Sequence, residues 1–546
     1  MKKILSVLLS FVFVFGSVSL IVVSAETAAG KVPTIYTVGG NQVMRDPVTG
    51  EQKWDIQIPD GYIEDAVKDC VGDLLKAAVT GSDADIEAYK TKLLSWVAPL
   101  YEEVRCDKNG VPLNELTVCM DYNPDRPFEL GESVDDRIYN GYYPIHGYDF
   151  YYDWRADLFL SVGELEQYVD MVREATGSEK VNLVGRCEGA SLILAYLQQY
   201  GSEKLNRILL YTPTSEEYML VSQTYAGKIR FSFAEITTWM DNNRYLTLNA
   251  LPVGGELLEL LDATMRMAAG SPLGLSGAAL NRVYDRIFRR VLPDVLLATY
   301  ANMPATWSMV SDADYEEALA FVFAGRETEY AGLIGKIRAY HNTVGAVSDS
   351  LLLDAAANGV HIGVVTKYGY PAIPLFEESA MLSDGSSLIR YTSYGATAAN
   401  QYETLPDDYI EAQIMDGKGA YLSPDRKIDA STCLFPETTW FVGGIDHDDF
   451  PWCIDLFLEQ FMLSETPMTV NADPTRPQFM LYQNGGIVPM TAENAEYSVI
   501  GTPEGQEAFG SNLSRLIKSL TGILTRIVDY IRAIIEGIVN HATGNV

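Results

Sequence analysis

The sequence predicts an α/β fold, a mostly parallel central sheet with helices on both faces, and two observations carry that prediction. Between residues 148 and 211, short β-branched or aromatic runs alternate with helix-length segments: strands at 148–152, 181–184 and 208–211, helices at 162–176 and 190–200. Strand, helix, strand in succession requires crossover connections, and these produce parallel sheets with both faces covered. Strand signals then return at 360–366 and 438–442, after a stretch from about 220 to 345 that reads as helix after helix. One sheet interrupted by a helical insertion accounts for both.

Taken in order, the chain opens with Lys2 and Lys3, an apolar run over 4–23, and Val23-Ser24-Ala25. A basic start, an apolar middle and a small-residue cleavage site make residues 1–25 a secretory signal, or an uncleaved anchor at that length. Either reading expects a secreted or cell-surface protein. Residues 26–220 form the first part of the core, beginning with a β-branched run over 33–38 that ends in a turn at Gly39-Gly40. Residues 61–105 are helical in pattern. The insertion, 221–345, is expected to be a helical lid, with Met265, Met267, Met303, Trp307 and Met309 either an apolar binding face or ordinary core. Residues 346–490 complete the core, 491–510 read as a linker, and 511–546 as an amphipathic helix. There Leu513, Leu516, Ile517, Leu520 and Ile523 begin an apolar stripe at helical spacing, with Arg515, Lys518, Arg526 and Arg532 against Asp529 and Glu536. Such a helix lies on a membrane, pairs with itself or a partner, or docks on its own core.

Composition narrows the function. With 546 residues, 47% of them apolar, the chain is foldable and too long for a single core. Forty basic against 73 acidic side chains, a net charge of −33, repel phosphate backbones, and no basic patch reverses that, so no nucleic-acid partner is expected. Six cysteines with no CxxC pair or Cys/His cluster give no metal pattern, and no cofactor is expected. Cys106 with Cys119, and Cys433 with Cys453, are pairings suggested by proximity alone.

The chemistry is concentrated in Val181-Asn182-Leu183-Val184-Gly185-Arg186-Cys187-Glu188-Gly189-Ala190: a buried strand, G-x-C-x-G, then a helix. This is the frame of a nucleophile elbow, whose tight turn needs small flanking residues. Cysteine stands where serine is usual, and its thiolate is favoured by a helix N-terminus and a nearby imidazolium. The partners must follow in the order acid, histidine. Of five histidines, His146 precedes the elbow, His541 lies in the terminal helix, and His341 and His361 come too early. His447, just past the strand at 438–442, is the candidate base. Asp384, in Ser383-Asp384-Gly385 after the strand at 360–366, is the candidate acid, one of several loop aspartates. Glu188 is unexpected beside a thiol, because its carboxylate opposes thiolate formation unless Arg186 offsets it.

Several stretches together resemble the lecithin:cholesterol acyltransferase family, a branch of the α/β hydrolases, from about residue 31 to 460. Gly147-Tyr148-Asp149-Phe150 with Tyr152-Asp153-Trp154-Arg155 is similar to its Tyr-Asp-Trp-Arg segment, Asp384-Gly385-Ser386 to its acid loop, and Met303-Pro304-Ala305-Thr306-Trp307 to the return from its lid. The resemblance implies an α/β-hydrolase fold, a Cys187-His447-Asp384 triad in place of one built on serine, and an oxyanion loop at Val38, Gly39 and Gly40 acting with the N–H of Glu188. It also implies an ester hydrolase or O-acyltransferase with a lipid-like substrate. The rival expectation is an inactive hydrolase-fold surface protein, tethered by its terminal helix.

Overall fold

The computed structural model describes residues 32–37, 39–40, 42–54, 58–59, 61–118, 147–230, 277–470, 472–483 and 485–499. The expected signal, the terminal helix, the middle of the insertion, Val38 and Cys119 lie outside the described residues.

Eight strands make one sheet: β1 (Thr34–Thr37), β2 (Gly147–Phe150), β3 (Val181–Arg186), β4 (Leu205–Tyr211), β5 (His361–Tyr368), β6 (Thr439–Gly443), β7 (Phe479–Gln483) and β8 (Gly486–Pro489). Across the sheet they run β2-β1-β3-β4-β5-β6-β7-β8, each pair parallel except β7 with β8. The central strands are apolar at consecutive positions because successive side chains face opposite sides and both sides are covered. Ile208, Leu210 and Val364 join one core with Ile35 and Leu183, while Leu209, Tyr211 and Val365 join another with Val184 and Trp440. Burying a side chain of this kind stabilises by about 1.5–3 kcal/mol, so the buried residues of β3, β4 and β5 dominate the sheet's stability.

Ten helices are relevant below: α1 (Tyr62–Thr80), α2 (Asp83–Tyr101), α3 (Leu158–Thr176), α4 (Gly189–Tyr200), α5 (Met219–Tyr225), α6 (Gly277–Ala298), α7 (Tyr315–Val322), α8 (Ala331–Thr343), α9 (Ser348–Ala357) and α10 (Trp452–Leu463). α3, α4 and α9 cover the first face through Val162, Leu165, Ile193 and Leu352, and α10 covers the second through Phe457 and Phe461. Local chemistry sets the ends: Asp157 accepts the N–H of Phe159 at the start of α3, and Gly177 at φ 68° closes it.

The described part of the insertion has its own core, in which Leu292, Leu296, Trp307, Val322, Leu333 and Ile337 pack together. Trp307 is buried there, Met303 is buried in the first core of the sheet, and Met309 is half-buried. Met265 and Met267 lie outside the described residues. The first part of the expected linker is packed structure, since Ser498 is buried and its carbonyl lies against Gly369. Cys433 and Cys453 are free thiols, which corrects the pairing suggested by their proximity, and Cys70, Cys106 and Cys187 are free as well.

Candidate active site

β3 delivers the chain to Cys187, which sits at φ 53°, a left-handed conformation that a non-glycine residue holds only where its surroundings enforce it. The surroundings are specific. The Cys187 N–H donates to the Tyr211 carbonyl at 3.1 Å, and the Cys187 carbonyl accepts from Ala190 at 3.1 Å and Thr214 at 3.4 Å. The flanking glycines follow from steric need: a Cβ at Gly189 would lie 2.2 Å from the Thr37 carbonyl oxygen, and one at Gly185 would lie 2.8 Å from Ala190 Cα. α4 begins at Gly189, so its positive end lies beside the sulfur.

His447 follows β6 and Asp384 lies beyond β5, each on a loop past the carboxyl end of its strand. His447 Nε2 is 3.3 Å from Cys187 Sγ, and His447 Nδ1–H donates to Asp384 Oδ2 at 2.7 Å. The two loops are joined by a backbone bond as well, from the His447 N–H to the Asp384 carbonyl at 2.9 Å. Asp384 Oδ1 accepts the N–H groups of Ser386 at 3.1 Å and Ser387 at 2.8 Å. Both side chains are buried, whereas Cys187 is half-buried and reachable.

Electrostatics matches this geometry. Burial disfavours charge on both partners, but each ion outweighs it for the other. Asp384 stays below the ordinary carboxylate value because the His447 imidazolium and two backbone N–H groups face it. His447 is held well above its ordinary value, against its own burial, by the Asp384 carboxylate and the Cys187 sulfur. The arrangement keeps a proton on the imidazole between an acid and a thiol.

Gly39 and Gly40 lie directly on the elbow. A Cβ at Gly39 would sit 2.9 Å from Cys187 Cβ and 3.2 Å from the Glu188 backbone nitrogen, and one at Gly40 would sit 2.3 Å from Glu188 Oε2. The loop therefore approaches the Glu188 N–H, as an oxyanion site requires. Val38 lies outside the described residues. Arg186, the expected offset to Glu188, pairs with Asp455 at 2.8 Å and lies over the Phe450 ring at 4.6 Å.

No protein-family model matches the chain, and the comparison with curated proteins finds no match. A solved structure titled "The crystal structure of Tle4-Tli4 complex" aligns over 62% of this chain and 75% of its own, at 10% identity and a TM-score of 0.25. That similarity is too low to bear on chemistry.

Three contributors escape a reading of the sequence. Thr212, just past β4, donates from Oγ1 to Asp384 Oδ2 at 3.1 Å, bracing the acid. Lys367, fully buried in β5, donates to the His447 carbonyl at 2.8 Å and the Asp449 carbonyl at 2.6 Å, fixing the histidine loop; burial pushes its ammonium down to about 8. Tyr218 meets the His447 ring edge-on at 5.4 Å. The available signal was position, since residues at or just past strand ends in a parallel sheet surround the site. Of the other histidines, His341 stacks on Tyr315 and His361 on Phe461, and His146 and His541 lie outside the described residues. Among the described residues no cluster of three or more His, Cys, Asp or Glu side chains could hold a metal ion. A cavity of about 720 Å³ lined by Glu216, Asp349, Arg390 and Tyr394 does not include Cys187 or His447 in its lining.

Proposed function

We propose that the protein is an acyl-enzyme ester hydrolase or O-acyltransferase of the α/β-hydrolase type, related to the lecithin:cholesterol acyltransferase family and using cysteine as nucleophile. The observation that supports this most is the continuous contact from a strained Cys187 through His447 to Asp384. The strand order, with the elbow after β3 and the acid and base after the next strands on one side, supports the hydrolase-type fold.

In this reading the proton of Cys187 has already passed to His447 Nε2 when the sulfur bonds to the ester carbonyl carbon, and the carbonyl electron pair moves onto oxygen. The N–H of Glu188 and one from the Gly39-Gly40 loop hold that oxyanion, a donor of this kind being worth about 2.7–4 kcal/mol. Collapse breaks the ester C–O bond, and His447 protonates the departing alkoxide. Water or an alcohol then attacks the thioester carbon as His447 takes its proton, and collapse breaks the C–S bond, releasing the acid or the new ester and leaving the sulfur beside the protonated imidazole. Asp384 keeps the imidazole oriented and stabilises its charge. The half-buried sulfur suits a substrate that enters from the loop side.

The test is a burst experiment with an activated ester. The wild-type protein should show a stoichiometric burst and a thioester adduct on Cys187 by mass spectrometry, and Cys187→Ala should show neither. An unchanged burst in that variant sinks the assignment. Secretion through residues 1–25 and membrane or self-association through 511–546 belong to the same proposal. Deleting 511–546 should release the protein from vesicles or reduce its oligomeric state.

A further inference from the structure

Glu188 has surroundings that the proposed mechanism does not explain. It is 1% exposed, and neither carboxylate oxygen has a hydrogen-bond partner among the described residues. The groups that face it electrostatically are Cys187 on its own turn, Tyr152 and Asp153 after β2, Tyr225 on α5 and Tyr340 on α8. None of these is a cation. Arg155, the nearest candidate by sequence to Tyr152, is committed to Asp153, and Arg186 is committed to Asp455. An ionised carboxylate buried with no partner is strongly disfavoured, so such groups take up a proton instead.

The second observation is steric. Glu188 Oε2 occupies the space a side chain at residue 40 would need, with 2.3 Å separating it from a Cβ there, while residue 39 rests on Cys187 itself. The carboxyl group is thus the floor under the half of the loop that does not touch the nucleophile. Resting on the acyl-enzyme reading above, we propose that Glu188 is a positioning residue that acts as a neutral carboxylic acid, seating the Gly39-Gly40 loop against the Cys187 elbow without placing a negative charge beside the sulfur. Burial first, then the proximity of Cys187 and Asp153, holds the proton on Glu188 well above the ordinary carboxylate range. The residue that looked hostile to a thiol in the sequence is compatible with one in the fold.

Two variants and two readouts that need no turnover test this. Infrared difference spectra of wild type against Glu188→Gln at neutral pH should show loss of one protonated-carboxyl C=O band, and the pH profile of Cys187 alkylation by iodoacetamide should coincide in the two proteins. Glu188→Ala should accelerate hydrogen exchange in the peptide containing Gly39 and Gly40, whereas Glu188→Gln should leave it at the wild-type rate. Absence of the protonated band together with a Glu188→Gln profile displaced to lower pH would show a charged Glu188 and overturn the proposal. So would loop exchange that ignores Glu188→Ala. Because neither readout uses an ester, loss of the burst with these results intact would reject the acyl-enzyme reading alone.

Discussion

At the scale of single residues, Asp384 and His447 stabilise each other only while both are charged, and this gives a pH signature with a fixed sign. Asp384 titrates below its ordinary 3.8 in the fold, so its contribution is present above that value and is lost as pH falls through the depressed one. His447 titrates above its ordinary 6.5, so its contribution is full below that value and is lost as pH rises through the raised one. Asp384→Asn should therefore lower the melting temperature most between about pH 4 and 6.5, with the deficit shrinking as pH falls through the depressed carboxyl value and as it rises through the raised imidazole value. A deficit independent of pH in thermal melts would mean the pair is not ionised. The same residues show what a sequence makes legible. Cys187 stands out because strand, glycine turn and helix are contiguous, and His447 because five histidines leave few choices. Thr212 and Lys367 do not, because their partners are brought together by the pairing of β4, β5 and β6, which no local pattern records.

At the scale of elements, the turn from β3 into α4 is where packing and chemistry share the same atoms. Thr37 of β1 donates from Oγ1 to the carbonyls of Val184 and Gly189, so the first strand grips both sides of the elbow. Gly189→Ala places a methyl 2.2 Å from the Thr37 carbonyl and 2.8 Å from its hydroxyl, backbone and short side chain that cannot rotate away. Overpacking of this kind typically costs about 1–3 kcal/mol, and here it also displaces Cys187. Gly335→Ala, inside α8 with nothing within 4 Å of the new methyl, is the matched control and should gain about 0.5–1 kcal/mol from helix propensity. Urea unfolding with Cys187 alkylation rates checks both, and equal behaviour of the two variants would refute the steric account. Elements also set the limit on legibility. The parallel strands announce themselves by continuous apolar runs. β7 and β8 do so less, being the short strands of an antiparallel hairpin in which β8 forms the sheet edge, although Asn484-Gly485 ahead of β8 is a turn signal.

At the scale of the whole molecule, the layer formed by α1, α2 and α6 must be tied to the sheet, and Arg155 makes one such tie. α1, α2 and α6 pack on one another through Ala77, Ile86, Ile287 and Val291, a small core separate from those of the sheet. The chain leaving α2 returns to the sheet region through residues 104–114. Fully buried, Arg155 holds Asp153 through two nitrogens at 2.8 and 2.6 Å and donates to the carbonyls of Val104 at 3.2 Å and Asn114 at 3.1 Å. Four acceptor contacts thus depend on one guanidinium, and its removal leaves a carboxylate and two carbonyls without their donor. Breaking a fully buried pair on one side costs about 3–5 kcal/mol; Asp153 keeps 27% of its side chain exposed and so reduces that cost, while the carbonyls that lose their donor add to it, and Arg155→Met should still lower the urea midpoint clearly. The ion pair between Arg290 of α6 and Asp83 of α2 has a comparable separation, 2.7 Å, yet both side chains are exposed. Solvent screening limits such a pair to about 0–1 kcal/mol, and Arg290→Met should barely move the midpoint. If the two substitutions destabilise equally, burial is not what gives Arg155 its weight, and the helical layer is held by its apolar contacts instead.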